Sequence, residues 1–189
     1  MSALPPKGEE DVGNWVLLAK AGAKLREAGI PFVASGGCAT GSQLAAAIAL
    51  GAEGMNCGTA FMATTEAPIH DGIKRALVKG DERSTTLVMQ SVGNTERVFK
   101  NRVTTEVREI EKRNPGKIEA IRHLVSGENY RKSFQESGDP DSSVWSAGIV
   151  MGLIDDVPSC DALVKRMVAE AEEIITGRLA GLVRGRSRL

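Results

Sequence analysis

Two short apolar segments, each ending in a glycine turn and separated by one alanine-rich stretch, constrain the fold of this 189-residue chain more than anything else in it. Ile30-Pro31-Phe32-Val33-Ala34 runs without a polar side chain and stops at Ser35-Gly36-Gly37. Continuous apolarity over strand length fits a strand covered on both faces, as in a parallel sheet beneath helices. Residues 41–50 (GSQLAAAIAL) predict a helix stopped at Gly51. Gly54-Met55-Asn56-Cys57 then predicts a second strand, ending in Gly58-Thr59-Ala60-Phe61. A helix over 15–28 comes first, with Trp15, Leu18, Ala19, Gly22 and Leu25 at helical spacing and Gly29 as its stop. Strand, crossover helix and strand make a βαβ unit with parallel neighbours.

The rest of the chain is more polar. Residues 66–79 carry Ile69, Ile73, Ala76 and Leu77 on one helical face, and residues 84–90 (STTLVMQ) are β-branched enough for a strand. Residues 102–113 and 117–125 predict two short charged helices around Asn114-Pro115-Gly116. Residues 126–141 predict a loop. Residues 161–179 give the clearest amphipathic helix, with Leu163, Met167, Ala171, Ile174 and Ile175 on one stripe. The helical weight of 80–189 predicts a C-terminal region packing on the βαβ part.

Composition excludes several classes of function. Lysine and arginine total 24, as do aspartate and glutamate, so no net field draws the chain to nucleic acid or an anionic membrane. Aromatics at 4% are too few for a base-stacking platform. No apolar run approaches the roughly 18 residues of a membrane span, and Met1 to Lys7 lacks the apolar stretch of a secretion signal. Cys38, Cys57 and Cys160 are odd in number with no CxxC, which points away from a disulfide framework or structural zinc and towards a reducing cytoplasm.

Glycine turns at the C-terminal ends of parallel strands are where α/β folds bind ligands. Ser35-Gly36-Gly37 can adopt positive φ and bring backbone N–H groups close to an anion. The helix starting near Thr40-Gly41-Ser42 is expected to aim its positive end at the same point. Gly58-Thr59 repeats the device and adds a hydroxyl. Together they make a cradle for one dianionic phosphate, against the plainer reading of two tight turns. The chain lacks GxGxxG after its strand and lacks GxxxxGK[ST], which disfavours a Rossmann dinucleotide site and a P-loop. A (β/α)8 barrel, where phosphate binds between the turns after strands seven and eight, is the better match. His70 reads as a cap or packing residue, with polarising a substrate as the alternative; His123 reads as a surface or packing residue. Cys57 is a small apolar filler or a ligand contact. Trp145-Ser146-Ala147-Gly148 either lies over a flat ring or docks on the core. Arg178, Arg184, Arg186 and Arg188 form a basic tail, read as solvated.

These segments, with Thr65-Glu66-Ala67-Pro68, Asn94-Thr95-Glu96-Arg97-Val98, Trp145-Ser146-Ala147-Gly148 and Gly152-Leu153-Ile154-Asp155-Asp156-Val157-Pro158, resemble the nitronate monooxygenase family over nearly the whole chain. Flavin-dependent enoyl-acyl-carrier reductases share the Gly-Gly and Gly-Thr core. The resemblance implies a TIM-barrel flavoprotein that binds FMN and oxidises alkyl nitronates with O2 to a carbonyl compound and nitrite. It implies that Ser35, Gly36 and Gly37 hold the FMN phosphate from one side, and Gly58 and Thr59 from the other. On this reading the chain is the C-terminal part of a (β/α)8 barrel, its last two βα units, with a mostly helical extension. Residues 1–80 are then the FMN-phosphate-binding segment and 81–189 the helical region.

Two departures bear on catalysis. Relatives carry a Gly-His-Pro-Gly turn before an acidic stretch; here Pro5-Pro6-Lys7 precedes Gly8-Glu9-Glu10-Asp11, so the family histidine has no counterpart and no catalytic residue is assigned. Ile149 stands where relatives often have glutamine. Two parallel strands cannot close a barrel, so turnover is expected to be weak or nil unless a second chain or a further copy completes it. The rival expectation is a non-catalytic helical module that binds partners through its C-terminal half. No metal is expected.

Overall fold

The computed structural model describes residues 12–184. In chain order these form α1 (Asn14–Glu27), β1 (Val33–Ser35), α2 (Gly41–Ala49), β2 (Gly54–Asn56), α3 (Thr59–Met62), α4 (Asp71–Lys79), β3 (Thr85–Val88), β4 (Glu96–Phe99), α5 (Arg102–Arg113), α6 (Gly127–Arg131), α7 (Cys160–Glu173) and α8 (Ala180–Arg184). The chain is α/β, mostly helical with few strands. Its contacts divide it into two compact units: Val12–Gly58 with the described residues from Pro158 onward, and Thr59–Val157.

In the first unit, β1 and β2 pair in parallel with Val33 opposite Gly54, Ala34 opposite Met55 and Ser35 opposite Asn56. The crossover between them is α2, as expected of a βαβ unit. Ala34, Ala47 and Ala52 form the core under the helices, with Leu18, Phe32 and Met55 against them. Small residues here let backbones approach: a Cβ at Gly22 would overlap the Leu50 carbonyl, and one at Gly41 would overlap the Met167 carbonyl. Leu163, Met167 and Ala171 of α7 are buried on the expected stripe, and α7 packs on α2. The expectation of a first strand covered on both faces needs correction. Only Ala34 of β1 is buried, while Val33 is 55% exposed, because the helices cover one face of this two-stranded sheet.

In the second unit, β3 and β4 form an antiparallel pair running from Thr85 opposite Phe99 to Val88 opposite Glu96. Val88, Val98, Val103, Val107, Ile121 and Val144 form its core. Asn101 caps α5 through its side chain, and Thr104 returns the bond to complete a capping box. Two expectations fail here. Residues 117–125 form a single 3-10 turn, Ile118–Ala120, rather than a charged helix. Residues 126–141 are not simply a loop: α6 is capped by the Ser126 side chain and runs on into a π-helical turn, Lys132–Ser137. Aromatic burial explains the order, since Phe134 stacks on Tyr130 at 4.6 Å and packs against Trp145 at 6.0 Å.

Candidate functional site: a donor-lined turn at the end of a parallel strand pair

The register of the parallel pair brings both glycine turns out at one end, since Ser35 is opposite Asn56 and the chain reaches Gly36 and Cys57 one residue later. Gly36 and Gly37 both take left-handed φ, 91° and 73°. Positive φ at two successive positions is a backbone that glycine, lacking Cβ, adopts without steric cost.

What fixes the turn is the fate of its carbonyls. Asn14 Nδ2 donates to Gly36 O at 2.6 Å and reaches Ser35 O at 3.4 Å, while Gln43 Nε2 donates to Gly37 O at 2.5 Å. Three successive carbonyl oxygens are thereby bound to side-chain amides, and their negative ends are neutralised. Among the described residues, the N–H groups of Gly37, Cys38 and Gly58 find no acceptor. Cys38 is buried, Gly37 is half-buried and Gly58 is exposed, so of the three it is the Cys38 amide whose missing acceptor water least readily replaces. Room is present as well: a Cβ at Gly37 or at Gly58 would meet nothing within 4 Å.

The α2 N-terminus does not act as expected. Gln43 Oε1 accepts from the Ala39 and Thr40 N–H groups at 2.7 and 3.2 Å, and Thr40 Oγ1 accepts from Gln43 N–H at 3.2 Å. The Gly41 N–H donates to Glu170 Oε2 of α7 at 2.8 Å. A carboxylate of the protein thus sits where the helix dipole favours an anion. Of that first turn, the Ser42 N–H finds no acceptor among the described residues, so α2 keeps one free donor in addition to those of the glycine turn.

Cys38 is buried, its Sγ 3.7 Å from Gly36 O, and burial pushes its thiol pKa up. Burial also raises that of Cys57, with the neighbouring Cys38 adding to the rise. Both are held as neutral thiols, which disfavours nucleophilic use.

In the second unit, Thr59 opens α3 and is 9% exposed. Its Oγ1 accepts from the Gly148 N–H at 3.0 Å. His70 caps α4, its Nδ1 accepting from Gly72 N–H at 3.0 Å, and its ring lies against Gly138, whose φ is 66°. That is the structural role of the two considered. His123 is exposed. Trp145 is 1% exposed, stacks on Phe99 at 4.5 Å and donates to Pro140 O at 3.0 Å, so it docks on the core and offers no face to a ligand. Among the described residues no three His, Cys, Asp or Glu side chains cluster as metal ligands, and no helix is long and apolar enough to cross a membrane. The Pro5-Pro6-Lys7 departure and Arg186 and Arg188 lie outside the described residues.

Sequence reasoning missed Asn14 and Gln43, and it singled out Gly148 within Trp145–Gly148 without its bond to Thr59. Gln43 had a readable signal, since Thr40-x-x-Gln43 is a capping-box pattern. Asn14 and Gly148 act across 22 and 89 residues, and nothing local marks Asn14 or the partner of Gly148.

The sequence model of a family described as nitronate monooxygenase matches residues 3–170. A nitronate monooxygenase of Paraburkholderia phytofirmans is 40% identical over 79 residues, 42% of this chain and 22% of that protein. The structure of FabK from Thermotoga maritima superposes with a TM-score of 0.81 at 31% identity, covering 92% of this chain and 53% of that one. Nitroalkane oxidase from Streptomyces ansochromogenes gives 0.68 at 32% identity, covering 88% and 45%. The chain therefore spans about half the length of these solved relatives.

Proposed function

The chain belongs to the nitronate monooxygenase family, and on that premise we propose that it is the FMN-phosphate-binding part of an oxidoreductase that converts alkyl nitronates and O2 to a carbonyl compound and nitrite. Its βαβ segment supplies the last two βα units of a (β/α)8 barrel. Ser35, Gly36 and Gly37 hold the phosphate from one side, and Gly58 and Thr59 from the other. The observation that carries the reading is the inverted polarity of the first turn: carbonyls tied back by Asn14 and Gln43, amides of Gly37, Cys38 and Gly58 left without acceptors. That donor set fits a phosphate, which only accepts.

When bound, the flavin supplies the electron transfer between nitronate and O2 that no side chain here can perform. The protein's own contribution is to bind and orient. The glycines admit the phosphate to the backbone, and the neutral Cys38 and Cys57 thiols add no negative charge beside it. No residue of this chain is assigned as the catalytic base. Turnover requires the remaining βα units, from the same polypeptide or from another chain.

The test is FMN titration followed by flavin fluorescence, with nitrite release from a nitronate as the activity assay. Flavin binding with little nitrite release, rising when the other βα units are supplied, is the expected result. Failure to bind FMN would remove the reading and favour the helical interaction module. Consumption of NAD(P)H with an enoyl thioester, in place of nitrite release, would instead assign the enoyl reductase chemistry that shares these turns.

A further inference from the structure

Thr59 is a buried hydroxyl with only one of its three hydrogen-bonding sites settled. Its oxygen accepts from the Gly148 N–H at 3.0 Å, and the residue is 9% exposed. A hydroxyl has one hydrogen and two lone pairs. Gly148 occupies a lone pair, which turns the hydrogen away from Gly148. Among the described residues nothing accepts that hydrogen.

Several threonines elsewhere in the chain behave differently. Thr64 Oγ1 donates to Phe61 O at 2.8 Å, Thr105 to Asn101 O at 2.8 Å and Thr176 to Glu172 O at 2.7 Å. Each gives its hydrogen to a carbonyl three or four residues earlier, the ordinary helical outlet. Thr59 stands at the first position of α3, where no helical carbonyl precedes it. Its hydrogen has lost the usual partner and, at this burial, has little water to replace it.

We propose that Gly148 is a positioning residue that turns the Thr59 hydroxyl hydrogen towards the ligand, so that Thr59 meets the phosphate as a hydrogen-bond donor. This deepens the phosphate reading above and rests on it. Glycine at 148 is part of the device. Its backbone is extended (φ −85°, ψ 158°), which any residue adopts, yet a Cβ there would lie 3.2 Å from Thr59 Oγ1. The close approach, not the backbone conformation, is what calls for glycine.

The test compares the wild-type chain with Thr59→Ser, Thr59→Val, Gly148→Ala and the Thr59→Val/Gly148→Ala double variant. The probes are FMN, riboflavin and inorganic phosphate. Riboflavin lacks the phosphate and so reports whether the rest of the protein is intact. Loss of a hydrogen bond to a charged group predicts that Thr59→Val weakens FMN binding about 10- to 100-fold, with riboflavin binding unchanged and Thr59→Ser close to wild type. Gly148→Ala should weaken FMN binding when Thr59 is present and have no further effect in the Thr59→Val background, the signature of action through that hydroxyl. Equal losses for FMN and riboflavin in Thr59→Val, or a Gly148→Ala effect of the same size in both backgrounds, would overturn the proposal. Inorganic phosphate, followed by phosphorus NMR line broadening, separates the two levels. Thr59-dependent phosphate binding without flavin binding would sink the flavin reading and keep this one, whereas phosphate or FMN binding indifferent to Thr59→Val would sink this one alone. Absence of binding by all three probes would remove both.

Discussion

Gln43 grips Gly37 from within the helix that follows it: Nε2 donates to the Gly37 carbonyl at 2.5 Å while Oε1 accepts from the Ala39 N–H at 2.7 Å. One side chain thus caps α2 and turns the last carbonyl of the glycine turn away from the donor surface. Capping and ligand preparation are the same set of bonds.

Replacing Gln43 with alanine should therefore cost both stability and ligand affinity. Loss of the cap and its partner bonds is expected to destabilise by about 1–2 kcal/mol, read as a lower urea midpoint with an unchanged slope. FMN affinity should fall by more than the midpoint shift explains, because the freed Gly37 carbonyl can face the phosphate. Gln43→Glu is the sharper test of polarity. It keeps an acceptor for Ala39 and Thr40, loses the donor to Gly37 and adds negative charge, so it should bind FMN less well than Gln43→Ala. Equal affinities for these two variants would contradict the role given to Nε2.

Gly58 separates folding from binding. Its φ lies outside the left-handed region and a Cβ would meet nothing within 4 Å, so Gly58→Ala should leave thermal stability unchanged within about 0.5 kcal/mol. FMN binding should still drop several-fold, since the methyl group occupies space the chain itself leaves open. Gly37→Ala is the contrasting case. With φ at 73° an alanine is strained by about 1–2 kcal/mol, so both stability and binding should suffer. A Gly58→Ala protein that binds FMN as well as the wild type would show that the open space at this turn serves no ligand.

Much of this was legible because glycine punctuates the chain where the backbone must turn. Gly29, Gly51 and the Gly36-Gly37 pair all have positive φ, and between them the α1, β1 and α2 segments fall within a few residues of expectation. The Ile30–Ala34 run misled on burial, because apolarity shows that a strand can be covered but not that the chain in hand covers it. β4 was missed: Glu96-Arg97-Val98-Phe99 is only four residues long and half charged, and it forms because β3 offers it an edge. The 126–137 segment is polar by composition and helical by virtue of one buried phenylalanine. Thr59 and Gly148 meet across 89 residues, a relationship that local pattern does not contain.

That phenylalanine gives a direct test of the second unit. Phe134 is 5% exposed and bridges Tyr130 and Trp145 through its ring contacts. Phe134→Ala should destabilise by about 3–5 kcal/mol. Amide exchange should rise first across 126–137, because the polar residues there have no other apolar anchor of that size. Phe134→Leu, which keeps most of the volume, should recover the greater part of the loss. Uniform exchange across the whole second unit in Phe134→Ala would mean that the segment does not order independently of the rest.

The buried Cys38 and half-buried Cys57 thiols predict how stability responds to alkali. Burial raises the pKa of Cys38, and burial together with the proximity of Cys38 raises that of Cys57. A thiol whose pKa is higher in the folded state keeps its proton there after the unfolded chain has lost it. Between those values the folded state binds more protons, so stability falls as pH rises. The decline begins near the ordinary thiol pKa of about 8.5 and ends above the raised folded values. Below that window both states are protonated and the contribution is constant. Denaturant midpoints measured from pH 7 to 10 should therefore fall in the wild type and fall less in Cys38→Ala and Cys57→Ala. In the double variant the thiol-dependent part of the slope should vanish. Iodoacetamide labelling at pH 8 follows the same logic, with Cys38 and Cys57 reacting slowly in the folded protein and at the rate of a free thiol in urea. Rapid labelling of either in the native chain would mean that its thiolate is accessible and stabilised, contrary to the environment these residues share.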